Sequence, residues 1–246
     1  MAWVLDLDGV IWTGNTPIEG AAAAVAELQR RDDVVFVTNM SRLVIADQEA
    51  KLADHGIEAC GQVISSATAA GRLVEPGERV FVCGGPGVRE SVENRGATVI
   101  DDPRAAIDAC IVGFDPEFDF EWMKNATTAI LHGARFIGTN HDPTYPTEEG
   151  LWPGAGAIIE SVATATAQRP IYAGKPHKAV VDEVRDRVGN SGVVVGDRPD
   201  TDGAFARALG FDFALVLSGV ANAEDLHDPV PDSISTTLAA LVADLR

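Results

Sequence analysis

The sequence predicts an α/β protein with parallel sheets in two domains, one of them inserted into the other. Three observations predict it. Short apolar runs alternate with alanine-rich or amphipathic stretches, the pattern of strands covered on both faces by helices. There are more of these runs than one compact sheet in a 246-residue chain needs. Runs near both ends of the chain finish in Asp, Thr-Asn, Gly-Lys or Gly-Asp, whereas the middle runs mostly finish in glycine turns. A core domain is therefore expected from residues 1–77 plus 171–246, with an inserted α/β domain over 78–170.

The elements follow in order. Strands are expected at AWVL (2–5), VVFVTN (34–39), QVISS (62–66), RVFVCGG (79–85), ACIVGF (109–114), RFIGTN (135–140), IYAG (171–174), GVVVGD (192–197) and FALVLSG (213–219). Each is a continuous apolar run with β-branched or aromatic residues, bounded by turn-forming residues. Helices are expected at 19–31, 45–56, 120–133, 157–167, 178–189 and 202–210, where alanine or amphipathic spacing recurs. GGPG at 84–87 reads as a turn, not a phosphate loop, because no Gly-Lys-Ser/Thr follows.

Composition narrows the function. The net charge of −18 and the lack of a Lys/Arg cluster argue against a nucleic-acid or anionic-membrane partner. No apolar run approaches the length of a membrane span. The chain starts in a strand-like run without a basic n-region or cleavage site, which is the pattern of a cytoplasmic protein. Cys60, Cys83 and Cys110 lack metal-ligand spacing and read as buried thiols of a reducing compartment. Most of the acid is a solvated surface; the question is whether a few carboxylates bind a divalent cation.

Four stretches carry chemistry, each at the polar end of an expected strand, where open parallel sheets bind ligands. In DLDG, Asp6 and Asp8 point to one face and Gly9 permits a sharp exit. TNMS offers the Thr38 hydroxyl and the Asn39 amide. AGKPHK places Lys175 before a proline that can open a helix. GDRPDTD places Asp197 and Asp202 five residues apart after a buried strand. Each has a plainer reading: Asp-x-Asp-Gly as a turn with a cap, Thr-Asn as a helix N-cap, Lys175 as a surface lysine, GDRPDTD as a loop with Asx turns. Their joint occurrence, in this order and at strand ends, favours function. Converging Asp6, Asp8 and Asp197 make an oxygen-rich site for Mg²⁺, which removes the repulsion between paired carboxylates. Lys175 adds positive charge, and Thr38 with nearby amides suits phosphate oxygens.

The chain resembles the haloacid dehalogenase superfamily, in its NagD-like and p-nitrophenylphosphatase-like subgroup (subfamily IIA). The matching stretches are DLDGVIWTGNTPIEGA, FVTNMSR, ISSATAA, GARFIGTNHDPTYPTEEGLWPGAGAIIESV, AGKPHKAVVDEV, VVVGDRPDTDGAFARALG and LVLSGV. The resemblance implies a Rossmann-like core with a large α/β cap and a Mg²⁺-dependent phosphatase that works through an aspartyl-phosphate. It implies Asp6 as nucleophile and Asp8 as general acid and then base, with the Asp8 backbone carbonyl on the metal. Thr38 would bind the phosphoryl group with Asn39 in support, and Lys175 would neutralise phosphate and nucleophile. Asp197 would be the acidic metal ligand, and Asp202 would orient Lys175 or a metal-bound water. The cap would supply specificity from NHDPTYPTEEG, with Asn140, Asp142 and Tyr145 as candidates, although a packing tyrosine fits Tyr145 equally well. His141 has no second histidine at metal-ligand spacing. Met40 and Arg42 depart from the subgroup pattern, and Trp12 is a candidate for the site entrance. Substrates implied are small phosphomonoesters of the nucleotide, glycerol, glycolate, sugar or pyridoxal class, and a homodimer through the cap is compatible. Rival readings are a phosphomutase of the same superfamily, a phosphoaspartate signalling domain and a non-catalytic binder of phosphorylated metabolites.

Overall fold

The computed structural model describes residues 1–147, 149–222 and 229–245, with Pro146 described by its backbone alone. Glu148 of the PTEEG stretch lies outside the described residues. The chain divides into two compact units: Met1–Thr38, Ala46–Ile64 and Lys175–Arg246 form the first, and Asn39–Ile45 with Ser65–Gly174 the second. Segments 39–45, 65–77 and 171–174, expected in the core domain, thus go with the second unit, the last because Ile171–Tyr172 pairs with Arg135–Gly138.

The first unit is built on a six-stranded sheet. Its order is Ser233–Ser235, Asp212–Val216, Gly192–Gly196, Ala2–Leu5, Asp33–Thr38, Val63–Ser65. Ala2–Leu5 is parallel to both neighbours, with Leu5 opposite Val195 on one side and Phe36 on the other. All four of its residues are buried, as a central strand covered on both faces requires. In chain order the strands lie 6-5-4-1-2-3, so the topology reverses between Ala2–Leu5 and Gly192–Gly196. The crevice beyond their carboxyl ends is where such sheets bind ligands. Helix Ala21–Gln29 buries Ala21, Ala24, Val25 and Leu28, the i, i+3, i+4, i+7 stripe of an amphipathic helix. A helix that sequence periodicity missed, Leu238–Asp244, is capped by the Thr237 side chain, which accepts from Ala240 N.

The second unit has a five-stranded parallel sheet in the order Ile171–Tyr172, Arg135–Gly138, Ala109–Val112, Arg79–Cys83, Thr98–Val99. Helices Phe120–Leu131 and Ala155–Thr166 cover one part of it, with Cys83, Cys110, Ala126, Ile130, Phe136, Ile159 and Val162 in a common core. Cys83 and Cys110 are buried as expected, and burial, with Asp115 and Asp119 adding to it, pushes the Cys83 thiol up to about 12. Cys60 is exposed, contrary to expectation, because it sits in the turn before Val63 and not in a strand.

GGPG is not a free turn. Gly85 is the N-cap and Pro86 the first residue of helix Pro86–Asn94, where a missing N–H costs nothing and the ring presets φ. Segment 39–45 packs on this helix start. A Cβ on Gly87 would lie 2.2 Å from Leu43 O, and Gly87 N donates to Arg42 O at 2.8 Å. The glycine therefore serves a close backbone approach, not a ligand. The sequence also concealed two antiparallel hairpins, Trp12–Thr13 with Thr16–Pro17 and Thr144–Thr147 with Gly150–Pro153. The strands of the first are too short for periodicity to register, and those of the second carry Pro146 and Pro153, which demote a run as a strand.

Candidate active site

The first unit brings four of the expected residues, Asp6, Lys175, Asp197 and Asp202, to the sheet reversal or next to it. Asp6 follows Leu5 directly, and its backbone N–H extends the ladder by donating to Val195 O at 2.9 Å. Asp197 follows Gly196 on the neighbouring strand. Both carboxylates thus leave adjacent parallel strands at the same end. Asp202 arrives through Pro199–Gly203, a single wide turn of π-helical form whose Asp202 N–H donates to Arg198 O at 2.7 Å. That turn moves Asp202 back toward the strand it has just left, a use to which π-turns at functional sites are often put.

Lys175 ties the carboxylates together. Its Nζ donates to Asp6 Oδ1 at 2.8 Å and to Asp202 Oδ1 at 2.6 Å. The lysine side chain is 4% exposed, Asp202 1% and Asp6 13%, so these are enclosed ion pairs. Asp202 Oδ2 accepts from Arg198 N at 3.2 Å, which fixes its orientation. Asp6, Asp197 and Asp202 each offer a carboxylate oxygen within 4.8 Å of the others. Three carboxylates against one ammonium leave the cluster with excess negative charge.

The proton affinities carry that imbalance. Burial raises the Asp6 carboxyl well above its usual range; Lys175 opposes the shift, and Asp202 and Asp197 add to it. Burial, with Asp202 adding to it, pushes Asp197 up to about 7. Burial on its own would lower the Lys175 pKa, but Asp202 and Asp6 outweigh it and hold the ammonium well above its ordinary value. Lys175 is therefore a fixed cation at any working pH, and the carboxylates are short of positive charge.

The second wall of the cluster is backbone. Asp197 Oδ2 accepts from Val220 N at 2.7 Å, and Ser218 Oγ donates to Gly9 O at 2.6 Å. Gly9, at φ +81°, comes so close that a Cβ there would lie 2.3 Å from Asp197 Oδ2. The glycine after the Asp-x-Asp pair thus serves both conformation and space. Little in the sequence marks Ser218 or Val220 as part of the site. Their only signal was position after an apolar strand, LVLSGV, and a backbone donor has no side-chain signature.

Asp8 stands apart from this cluster. It is open to solvent, and Trp12 Nε1 donates to its Oδ1 at 3.0 Å. Enough protein surrounds the carboxyl that desolvation still raises it, with Lys51 and Trp12 opposing. Thr38 is buried at the end of Asp33–Thr38.

The remaining expected residues belong to the second unit. Asn39, Asn140 and Asp142 form one network there: Asn140 Nδ2 donates to Asn39 O at 2.8 Å, Asn39 Nδ2 to Asp142 Oδ2 at 2.9 Å, and Asp142 N to Asn140 Oδ1 at 3.0 Å. Each of these polar groups has a local structural partner. Tyr145 lies edge-on to Phe114 at 4.9 Å and to Trp152 at 6.4 Å. Arg42 packs against Gly85, and Met40 lies in the same segment.

Comparison with known proteins agrees along the whole chain. Residues 3–98 match a family described as haloacid dehalogenase-like hydrolase, and residues 172–241 a second one described as HAD-hydrolase-like. An acid sugar phosphatase of Staphylococcus saprophyticus is 32% identical over 92% of this chain and 90% of its own. The crystal structure of glycerol phosphate phosphatase from Mycobacterium tuberculosis, in complex with magnesium, matches with a TM-score of 0.91 and 33% identity, covering 98% of this chain and 75% of that one. The p-nitrophenyl phosphatase from Archaeoglobus fulgidus matches with a TM-score of 0.91 and 30% identity over 99% and 98% of the two chains. Among the described residues, no helix is long and apolar enough to cross a membrane.

Proposed function

The chain belongs to the haloacid dehalogenase-like hydrolases, in the NagD-like subgroup IIA, and on that premise we propose that it is a Mg²⁺-dependent phosphatase of small phosphomonoesters with Asp6 as nucleophile. The observation that carries the reading is Lys175 bridging Asp6 and Asp202 beside Asp197, at the reversal of the parallel sheet. The sugar phosphate, glycerol phosphate and p-nitrophenyl phosphate activities named for the relatives point to alcohol and phenol esters as substrates.

The donor set fits magnesium. It is all oxygen, it carries excess negative charge, and two of its carboxyls are raised by burial, with neighbouring carboxylates adding to the shift. Asp6, Asp197 and the Asp8 backbone carbonyl would hold the ion, with Asp202 beside them. Bound there, it supplies charge neutralisation for the phosphate dianion and the carboxylates.

The chain's own residues then divide the work. Lys175 holds Asp6 Oδ1, so Oδ2 is the oxygen that attacks phosphorus. The Asp6 oxygen–phosphorus bond forms as the bond from phosphorus to the ester oxygen breaks, and Asp8 gives its proton to the departing alcohol. In the second half Asp8 takes a proton from water, the water oxygen bonds to phosphorus, and the Asp6 carboxylate leaves. Thr38 hydrogen-bonds the phosphoryl group, with Asn39 in support. Asp202 keeps Lys175 aimed at Asp6. The second unit acts as the cap that selects the leaving group through Asn140, Asp142 and Tyr145, with Met40, Arg42 and Trp12 also contributing to selectivity.

A cytoplasmic location and a homodimer through the second unit belong to the same reading; Phe120, Leu131, Leu151, Trp152 and Ile171 are exposed apolar side chains of that unit. Light scattering at working concentration tests the dimer. For the activity, phosphate release from a panel of phosphomonoesters is measured with Mg²⁺ and with EDTA, for the wild type and Asp6→Asn. Turnover that requires both Mg²⁺ and Asp6 is the expected result. Wild-type turnover by Asp6→Asn would overturn the assignment of the nucleophile.

A further inference from the structure

The surroundings of Asp8 go beyond what a solvent-facing acid requires. The turn after Leu7 is tight: Ile11 N and Trp12 N donate to Leu7 O at 2.8 and 3.3 Å, and Gly9 N donates to Trp12 O at 2.7 Å. This folds Trp12 back over the turn, 3% exposed, with its indole N–H on Asp8 Oδ1. Helix Ile45–Asp54 then supplies Lys51, whose Nζ lies 4.1 Å from the indole centroid and donates to Gly14 O at 3.1 Å. His55, just past the end of that helix, packs on the same ring at 5.5 Å between centroids. Burial lowers the Lys51 pKa, with Asp8 opposing the shift, so this lysine gives up hydration to sit where it does. A surface lysine placed only for solubility would not.

We propose that Trp12, seated by Lys51, is the positioning residue for Asp8: it holds Oδ1, so that Oδ2 is the oxygen that exchanges a proton with the leaving alcohol. This rests on the role given to Asp8 above. A carboxyl torsion is broad and nearly two-fold, so an unheld Asp8 presents either oxygen to the ester. The indole is a donor only, so the oxygen it engages acts as acceptor and the proton resides on the other one. When the phosphorus–oxygen bond breaks, its electron pair stays on the ester oxygen, and the Oδ2 proton turns that alkoxide into the alcohol. Lys51 acts one step further out. Its charge over the indole face and its bond to Gly14 O fix the ring against the turn.

Leaving groups separate this role from a structural one. An alkoxide needs the proton from Asp8, whereas p-nitrophenolate departs without one. The test is the ratio of kcat/KM for the best alkyl phosphate of the panel to kcat/KM for p-nitrophenyl phosphate, measured on the full chain with Mg²⁺. Trp12→Phe keeps an aromatic ring and removes the N–H, and is expected to lower the ratio roughly tenfold. Lys51→Ala is expected to lower it in the same direction by about threefold, and Lys51→Arg, which restores a cation over the ring, to recover it. Asp8→Asn is the reference and is expected to lower the ratio by about a hundredfold or more. A ratio unchanged in Trp12→Phe and Lys51→Ala, with Asp8→Asn still lowering it, would overturn the positioning role and leave Asp8 as the acid. A ratio unchanged in Asp8→Asn would overturn both. General damage to the fold lowers both rate constants together and leaves the ratio intact, so it counts against the proposal.

Discussion

Asp197→Asn should stabilise the metal-free protein at alkaline pH and do so far less at acid pH. Asp197 is pushed from the ordinary carboxyl value of 3.8 up to about 7, mainly by burial and then by Asp202. A carboxyl raised on folding holds its proton more tightly in the native state. Its contribution is fully present below pH 4, declines as the pH rises, and is lost above about pH 7. At about 1.36 kcal/mol per unit, the difference is on the order of 4 kcal/mol when Asp197 is forced to ionise. Asp197 also raises Asp6, so part of the effect is shared and about 2 kcal/mol is the working expectation for the single substitution. Asparagine has nearly the same shape, and its amide oxygen can still accept from Val220 N. For a chain of this length the gain corresponds to a Tm increase of about 4–8 °C at pH 8 in EDTA. The assay is thermal unfolding in EDTA at pH 5, 6, 7 and 8, followed by Mg²⁺ titration at pH 8. The increase should shrink through pH 6 to roughly a third of its pH 8 size at pH 5, and Mg²⁺ should raise the Tm of the wild type far more than that of the variant. A Tm that falls in Asp197→Asn at pH 8, or rises equally at pH 5 and pH 8, would show that the carboxylates are not short of positive charge.

Two more outcomes follow from the same cluster. Lys175→Met removes the ammonium shared by two enclosed carboxylates, and at pH 8 in EDTA should cost about 3–5 kcal/mol in urea unfolding, with the loss much reduced at pH 5, where Asp6 can protonate. An equal loss at both pH values would mean the lysine contributes by packing alone. Asp8→Asn should leave the phosphoenzyme long-lived when p-nitrophenyl phosphate is the donor, because water has lost its base. Acid-quenched protein mass would show an added phosphoryl group, and the unmodified mass throughout turnover would refute the two-step reading.

Much of this molecule is legible in one dimension. The strands that carry the site are continuous apolar runs, and a central parallel strand must be apolar on both faces, so AWVL, VVFV and VVVG are recognisable without any fold. The functional groups are equally visible because they interrupt those runs. An aspartate directly after a buried strand has a desolvation cost that only a partner can offset, and Asp6 and Asp197 announce themselves in that way. The two hairpins, the helix at Pro86 and the short helix at Leu238 carry no such signal: a two-residue strand has no period, and a proline reads as a breaker both in Thr144–Thr147 and Gly150–Pro153 and at the first turn of a helix.

What the sequence alone determined is therefore the class of elements and the inventory of reactive groups. Tertiary structure alone decided which groups meet. Asp6 and Lys175 are separated by 169 positions and Asp8 and Lys51 by 43, and no local pattern connects either pair. Only the reversal of strand order places Asp6 beside Asp197, and only the wide turn at Pro199–Gly203 returns Asp202 to Lys175. The physical reason is that propensity and burial act on a residue and its near neighbours, whereas charge compensation acts through space. A carboxylate's need for a partner can be read along the chain, but the partner is chosen by the packing of strands from opposite ends of the sequence.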